Sequence, residues 1–256
     1  MYTYVQNWER PEEDRKKKRV EGMTDHIGQR IASLRSHGDQ LYASRSEAAY
    51  DLLRTAVMEG LLQPGQRLRE IDVSDWLDMS RTPVREAFRR LERDGLITFA
   101  PHKGMTVTVL DHGAIMELYR MREVLEGTAA SLAAQHATDA EIAALEDMII
   151  QETEFGADSR ALARHNVAFH NAIYAAAHNR YLLRSLYGLR DSMALLGRTT
   201  YSVPGRVEAA SNEHRAVVGA IARRDPGAAD VAMRAHLRSA QHARLRQMQG
   251  KIPAAM

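Results

Sequence analysis

The chain has 256 residues, with 35 Lys plus Arg against 33 Asp plus Glu, a formal charge of +2 at pH 7. That balance excludes a histone-like polycation but leaves room for a local basic patch, and 45% hydrophobic with 27% charged residues is ordinary globular composition. The absence of cysteine excludes a disulfide framework, a thiolate metal site and a cysteine nucleophile. No apolar run reaches the roughly 18–20 residues that would span a bilayer, and Met1 to Val20 lacks the apolar core of a signal peptide. A cytoplasmic protein without membrane contact is expected.

Residues 1–43 hold few apolar side chains and no sustained period. The run Glu12-Glu13-Asp14-Arg15-Lys16-Lys17-Lys18-Arg19 reads as part of a flexible, solvated extension, with a basic arm on nucleic acid as the alternative. Order is expected from Ser44. Ser44-Arg45-Ser46-Glu47 fits a capping box, in which hydroxyl and carboxylate each satisfy an orphan backbone N–H. Leu52, Leu53, Ala56 and Val57 follow at helical spacing until Gly60 and Pro64-Gly65 stop the helix. A second helix is predicted from about Arg69 to Leu77, with Ile71, Val73, Trp76 and Leu77 available for burial. After Asp78-Met79, Ser80 is placed to cap a third helix that runs past Phe88 and Leu91 to Gly95, with Pro83 tolerated in its first turn. Residues 96–99 and 105–109 read as strands around the turn-forming tip Ala100-Pro101-His102-Lys103-Gly104. Residues 44–110 thus make one module of three helices and a hairpin.

Residues 111–250 read as helix throughout, rich in Ala, Leu, Met, Glu and Arg. Breaks delimit six segments, roughly 112–136, 139–154, 159–177, 180–199, 206–223 and 227–248. Six helices with short connections predict an all-α antiparallel bundle, and the fold class is mainly α.

The third helix opens Ser80-Arg81-Thr82-Pro83-Val84-Arg85. In a helix-turn-helix the second helix of the pair enters the major groove by its N-terminal end. Arg81 and Arg85 are i and i+4 on one face, and a guanidinium fork suits the O6/N7 edge of guanine. Ser80 and Thr82 offer short hydroxyls suited to phosphate. Segment 80–103 holds six Lys and Arg against three Asp and Glu, a local +3 on a chain whose total is +2. On spacing alone, a solvated basic helix face is the alternative.

Leu68-Arg69-Glu70, Ser80-Arg81-Thr82-Pro83-Val84-Arg85-Glu86-Ala87 and Leu91-Glu92-Arg93-Asp94-Gly95-Leu96-Ile97 resemble the winged helix-turn-helix of the GntR transcription regulators. Gly60-Leu61-Leu62-Gln63-Pro64-Gly65 is similar to that family's turn. The resemblance implies that Ser80, Arg81 and Arg85 contact operator DNA, with Thr82 in the same turn. It also implies that His102, Lys103 and Gly104 form a wing tip reaching phosphate or the minor groove. Val73-Ser74 departs from the usual Leu-Ala pair, which touches the packing of the second helix and not the DNA face.

Eleven histidines are present, eight of them after residue 110. A lone histidine is ordinarily a surface or satisfied core residue. Asn166 and His170, however, lie one helical turn apart, and His214 and His236 sit 22 residues apart across the Pro226-Gly227 turn. Three His on three helices can converge on a divalent metal in a bundle core. His165 lies about 140° from His170 on the helical wheel and is set aside. His178 and His242 read as surface residues.

Leu118 to Glu126, Asn166 to His170, Asn179 to Leu183, Glu213-His214 and Met233 to Leu237 resemble the FCD ligand-binding domain of the FadR-like branch. Six helices resemble its VanR-type subgroup. The two resemblances together cover about 200 of the 256 residues. They imply a divalent metal, Zn²⁺ first with Ni²⁺ or Mn²⁺ as alternatives, held at Asn166, His170, His214 and His236. Asn stands where Asp is the commoner occupant. That predicts weaker metal binding and an ion keeping its full charge among neutral ligands, which favours an anionic effector. Arg122 matches an arginine that pairs with a ligand carboxylate, with a salt bridge to Glu126 as its alternative. Arg190 is a second candidate for the same cavity.

The expected protein is a transcription regulator, a repressor in the family's usual mode, binding a palindromic operator as a homodimer. Its parts are a flexible extension (1–43), a winged helix-turn-helix (44–110) and an FCD-type effector-binding and dimerisation domain (111–250) that takes a small organic acid. The alternative is a metal-dependent enzyme using the three histidines. The sequence lacks G-x-S-x-G, G-x-G-x-x-G, Walker A and H-E-x-x-H motifs and offers no acidic base beside His170 or His236, so no enzyme is expected.

Overall fold

The computed structural model describes residues 27–31, 33–34, 42–156 and 158–249. The chain divides into two compact units that part between Thr108 and Val109. In the first, α1 (Arg45–Met58), α2 (Glu70–Leu77) and α3 (Arg81–Arg93) precede a hairpin of β1 (Ile97–Ala100) and β2 (Gly104–Val107). Ser44 Oγ accepts the Glu47 N–H at 3.1 Å, while the Glu47 carboxylate takes the Ala43 N–H, one residue before the expected one. Asp78 ends α2 in the left-handed region, φ 47°, a conformation Asp tolerates better than most residues, and this turns the chain straight into α3. Pro83, Val84, Ala87, Phe88 and Leu91 form the buried face of α3. The strands are antiparallel, with Ile97 opposite Val107 and Ala100 opposite Gly104.

Three expectations for this unit are corrected. Ser80 stands at the N-cap of α3 but makes no capping hydrogen bond. Ile71, the second residue of α2, is 47% exposed, and Trp76 is only half-buried. Order also begins before Ser44: residues 27–31 and 33–34 are helical and Ile31 is fully buried. Trp76 packs so close to Gly28 that a β-carbon there would stand 2.5 Å from its ring. The charge run Glu12 to Arg19 lies outside the described residues. Ser74, where the resemblance would put Ala, is buried with its hydroxyl unpartnered, an arrangement that costs about 1–3 kcal/mol.

The second unit comprises α4 (His112–His136), α5 (Asp139–Glu154), α6 (Ser159–Ala176), α7 (Arg180–Gly188), α8 (Arg190–Ala194), a 3₁₀ turn (Thr200–Ser202), α9 (Arg206–Ala222) and α10 (Pro226–Gln249). Five of the six predicted segments are single helices. The fourth, predicted over 180–199, is broken at Leu189, beside the helix-weakening Gly188, into α7 and α8. Ala129, Ala130, Ala133 and Ala134 of α4 are fully buried. At Gly127 the approach of α10 is closer still, since a β-carbon would lie 2.6 Å from Asp230 Oδ1. Small residues on α4 let the two longest helices run side by side. Phe169 and Ile173 of α6, Val217 and Ile221 of α9 and Met233 and Leu237 of α10 complete the core.

Helix ends are closed both locally and by residues distant in the chain. Thr138 and Glu141 form a reciprocal capping box at α5. Arg224, left-handed at φ 55°, donates to the Ala137 carbonyl at the end of α4 and to Asp139 at 2.8 Å. Among the described residues no helix is long and apolar enough to cross a membrane.

Candidate functional site

On the first unit, α3 turns Arg81, Thr82, Arg85, Glu86, Arg89 and Arg90 to solvent opposite its buried face, and Ser80 is exposed just before them. The hairpin tip exposes His102 and Lys103, closed by the Lys103 N–H on the Ala100 carbonyl at 3.1 Å. His102 and Gly104 both adopt positive φ, 64° and 77°. Arg67, Arg69, Arg81 and Lys103 line one open groove with Glu70, Ile71 and Phe99, the last 65% exposed. The cations of this face are not equivalent. Arg69 is bidentate to Asp72 through bonds of 2.7 Å, and Arg85 Nε donates to Glu70 at 2.7 Å. Arg81 and Lys103 make no ion pair among the described residues.

In the second unit, α6, α9 and α10 bring His170, His214 and His236 together, one nitrogen of each lying within 4.8 Å of the others. All three are buried, and the rings of His214 and His236 are 4.6 Å apart. Each Nδ1 is hydrogen-bonded to a carboxylate: His170 to Glu126 at 2.6 Å, His214 to Glu152 at 3.1 Å and His236 to Glu213 at 2.8 Å. A carboxylate accepts from Nδ1–H, which leaves the lone pair on Nε2. The Nε2 atoms of His170 and His214 are buried without any hydrogen-bond partner. Burial pushes His214 and His236 below the ordinary imidazole value, and the neighbouring histidines push His236 further down. Both are therefore neutral at pH 7, the form that ligates metal. Three converging imidazoles backed by carboxylates, two of them with unpartnered Nε2 atoms, are a donor set that fits a divalent ion.

Two of the carboxylates also accept from an arginine. Arg122 Nε donates to Glu126 at 2.6 Å, and Arg206 Nη1 to Glu213 at 2.7 Å. Burial alone would push the Glu126 carboxyl up. Arg122 and His170 outweigh it and hold the group well below the usual carboxylate range.

Residues 45–107 match the family model "Bacterial regulatory proteins, gntR family", and residues 117–239 match that of the FCD domain. The chain is 30% identical over 191 residues to the HTH-type transcriptional regulator YdhC of Bacillus subtilis, spanning 73% of this chain and 85% of that protein. The chain belongs to the GntR family. It is a DNA-binding transcription regulator with an FCD domain, not an enzyme. It is also 28% identical over 200 residues to the Escherichia coli repressor GlaR, covering 73% of this chain and 90% of that one. The solved structure of E. coli McbR/YncC shares the fold, with a TM-score of 0.67 at 23% identity over 81% of this chain and all of that one.

The other residues singled out in this GntR regulator fall into place unevenly. Asn166 is half-buried, and its Oδ1 accepts the Tyr201 hydroxyl at 3.0 Å, leaving one lone pair. Arg122 makes the internal pair with Glu126 that stood as its alternative. Arg190 is exposed, 5.7 Å from the Tyr187 ring, and stands outside the buried cluster. His165 is bonded to the Met148 carbonyl, and His178 and His242 are exposed. Sequence reasoning missed Glu126, Glu152 and Glu213 as partners of the histidines, and Arg206 behind Glu213. The available signal was periodicity: Glu126 shares the α4 face of the buried alanines, a position where a charged residue needs a partner.

Glu126→Ala is expected to strand the buried Arg122 and cost about 3–5 kcal/mol of stability, measured by chemical denaturation. A loss under about 1 kcal/mol would show that Arg122 is not held by this pair. The metal-free protein is also expected to melt progressively lower as pH falls below about 6.5. The unfolded chain takes up protons there, whereas the folded chain, with its depressed His214 and His236, does not. Stability is thus full above that pH and lost below it. Equal melting temperatures at pH 7.5 and 5.5 would contradict neutral, buried imidazoles.

Proposed function

We propose that this GntR regulator is a homodimeric repressor acting in the cytoplasm, whose grip on a palindromic operator is set by a small organic acid bound beside a divalent metal. Residues 44–110 bind DNA through Ser80, Arg81, Thr82 and Arg85 of α3 and through His102, Lys103 and Gly104 of the wing. Residues 111–250 bind effector and provide dimer contacts. One recognition helix covers only a few base pairs, so two-fold symmetry on a palindrome supplies the remaining contacts. The name of the relative GlaR, a transcriptional repressor, supports repression.

The observation that carries the metal reading is the pair of buried, unpartnered Nε2 atoms, each with a glutamate behind its ring. His170, His214 and His236 hold the ion, Zn²⁺ first with Ni²⁺ or Mn²⁺ as alternatives, and the remaining lone pair of Asn166 Oδ1 makes a weak fourth ligand. When bound, the ion supplies a Lewis-acid centre with open positions for a carboxylate. Its surroundings are not neutral, as the ligands alone suggest. Three carboxylates against Arg122 and Arg206 leave one net negative charge, so an occupied site carries +1 and still attracts an anion. Arg122 is committed through Nε, and its remaining edge is the one an effector carboxylate meets. Arg190, exposed at the start of α8, is the second candidate for an effector contact.

Arg81→Ala and Arg85→Ala are each expected to lose about 1–3 kcal/mol of operator affinity by fluorescence anisotropy. Full affinity in both variants, with the fold retained, removes α3 as the reading helix. Elemental analysis of protein purified without chelator is expected to find one divalent ion per chain. Asn166→Asp should bind that ion tighter and an organic-acid effector weaker, because the site loses one positive charge. Those opposite signs separate it from general damage, which weakens both. Protein that takes up no Zn²⁺, Ni²⁺ or Mn²⁺ would leave the histidines as hydrogen-bonding residues of an effector cavity.

A further inference from the structure

We propose that Glu70 is a positioning residue for base reading: its carboxylate holds the Arg85 fork so that Glu70 raises affinity for operator and lowers affinity for DNA of other sequence. This rests on Arg85 reading a base, and the test separates the two claims.

Glu70 is the first residue of α2, and Arg85 lies in the second turn of α3. The tight turn at Asp78 folds the two helices so that groups 15 residues apart meet, Arg85 Nε to Glu70 Oε2 at 2.7 Å. Both side chains stand at the surface, 58% and 37% exposed. An ion pair so placed contributes little to stability. By simple charge it also opposes function, since a carboxylate beside the groove of Arg67, Arg69, Arg81 and Lys103 repels the phosphates that those cations attract.

What the pair can do is geometric. A free arginine samples many rotamers, and fixing one costs side-chain entropy. Held at Nε, the Arg85 guanidinium keeps its two Nη groups, an edge able to donate two parallel bonds to O6 and N7 of guanine. Part of the ordering is then complete before DNA arrives, and only a matching base gains from it. DNA without that base meets the Glu70 charge and nothing in return. Removing the carboxylate must therefore push the two affinities in opposite directions.

The full chain is tested by anisotropy at one fixed salt concentration on two duplexes: one enriched by wild type from a random-sequence pool, the other the same duplex with its half-sites shuffled. For Glu70→Gln, affinity for the enriched duplex is expected to fall about fivefold to tenfold, a fraction of a full Arg–guanine contact. Affinity for the shuffled duplex is expected to rise about twofold, since one repulsive charge is gone. Glu70→Asp keeps the charge and shortens the reach, so it should lose enriched-duplex affinity without the shuffled-duplex gain. In an Arg85→Ala background, Glu70→Gln should leave the affinity ratio where Arg85→Ala put it. Equal gains on both duplexes would make Glu70 only a repulsive charge and overturn the proposal. So would an unchanged ratio in Glu70→Gln alongside a collapsed ratio in Arg85→Ala. An unchanged ratio in Arg85→Ala itself removes the base-reading role on which the proposal stands.

Discussion

Three imidazoles buried at the centre of the helical unit set the terms for the helices around them. A buried polar group without a partner costs several kcal/mol, so each Nδ1 needs an acceptor inside the bundle. Glutamates meet that need, and two of them in turn require Arg122 and Arg206. Satisfying three rings thus recruits all five long helices: α4 through Arg122 and Glu126, α5 through Glu152, α6 through His170, α9 through Arg206, Glu213 and His214, and α10 through His236. The third branch is built differently. Among the described residues no arginine pairs with Glu152, and its Oε1 is buried without a partner. Of the three histidines, His214 is therefore held by the least supported carboxylate.

Much of this was readable from the sequence, and the division follows range. Helix caps, Pro-Gly turns and the 3.6-residue apolar period are local, and they placed most helices within a residue or two. His170, His214 and His236 were readable because histidines on three consecutive-in-space helices are rare enough to be singled out. Their glutamates were not, since they come from 44, 62 and 23 residues away along the chain and glutamate is common on helices. The misreadings have tertiary causes. Ile71 looks like core by composition, yet at the outer side of the first turn of α2 it faces solvent. Ile27, Ile31 and Leu34 do fall at helical spacing, but a set spanning two turns is too short to announce a helix by itself; Gly28 lies against Trp76 and Ile31 is buried.

Charge counting shows the same limit. Segment 80–103 carries +3 on paper, which points to the face of α3. It does not show that Arg85 begins paired, because its partner Glu70 belongs to the preceding helix. A sum over a segment measures attraction to a polyanion. It says nothing of which guanidinium is poised to read and which merely attracts.

On the proposed readings, the two units solve different recognition problems with one physical device, a carboxylate that fixes a donor group before the ligand comes. On α3 the held group is a cation and the ligand an anion, so the carboxylate subtracts from attraction and adds to discrimination. In the helical unit the held groups are imidazole rings, and the subtraction falls on the proposed ion instead. That difference gives Asn166 a physical rationale. With three carboxylates against two guanidiniums already around the rings, an Asp at this position would bring an occupied site to neutrality and end its attraction for an organic anion. A neutral amide oxygen, already accepting from Tyr201, holds the ion less tightly and leaves the site positive. On the proposed reading, tight metal and responsive effector are competing demands on one small charge balance, and at residue 166 this chain favours the effector.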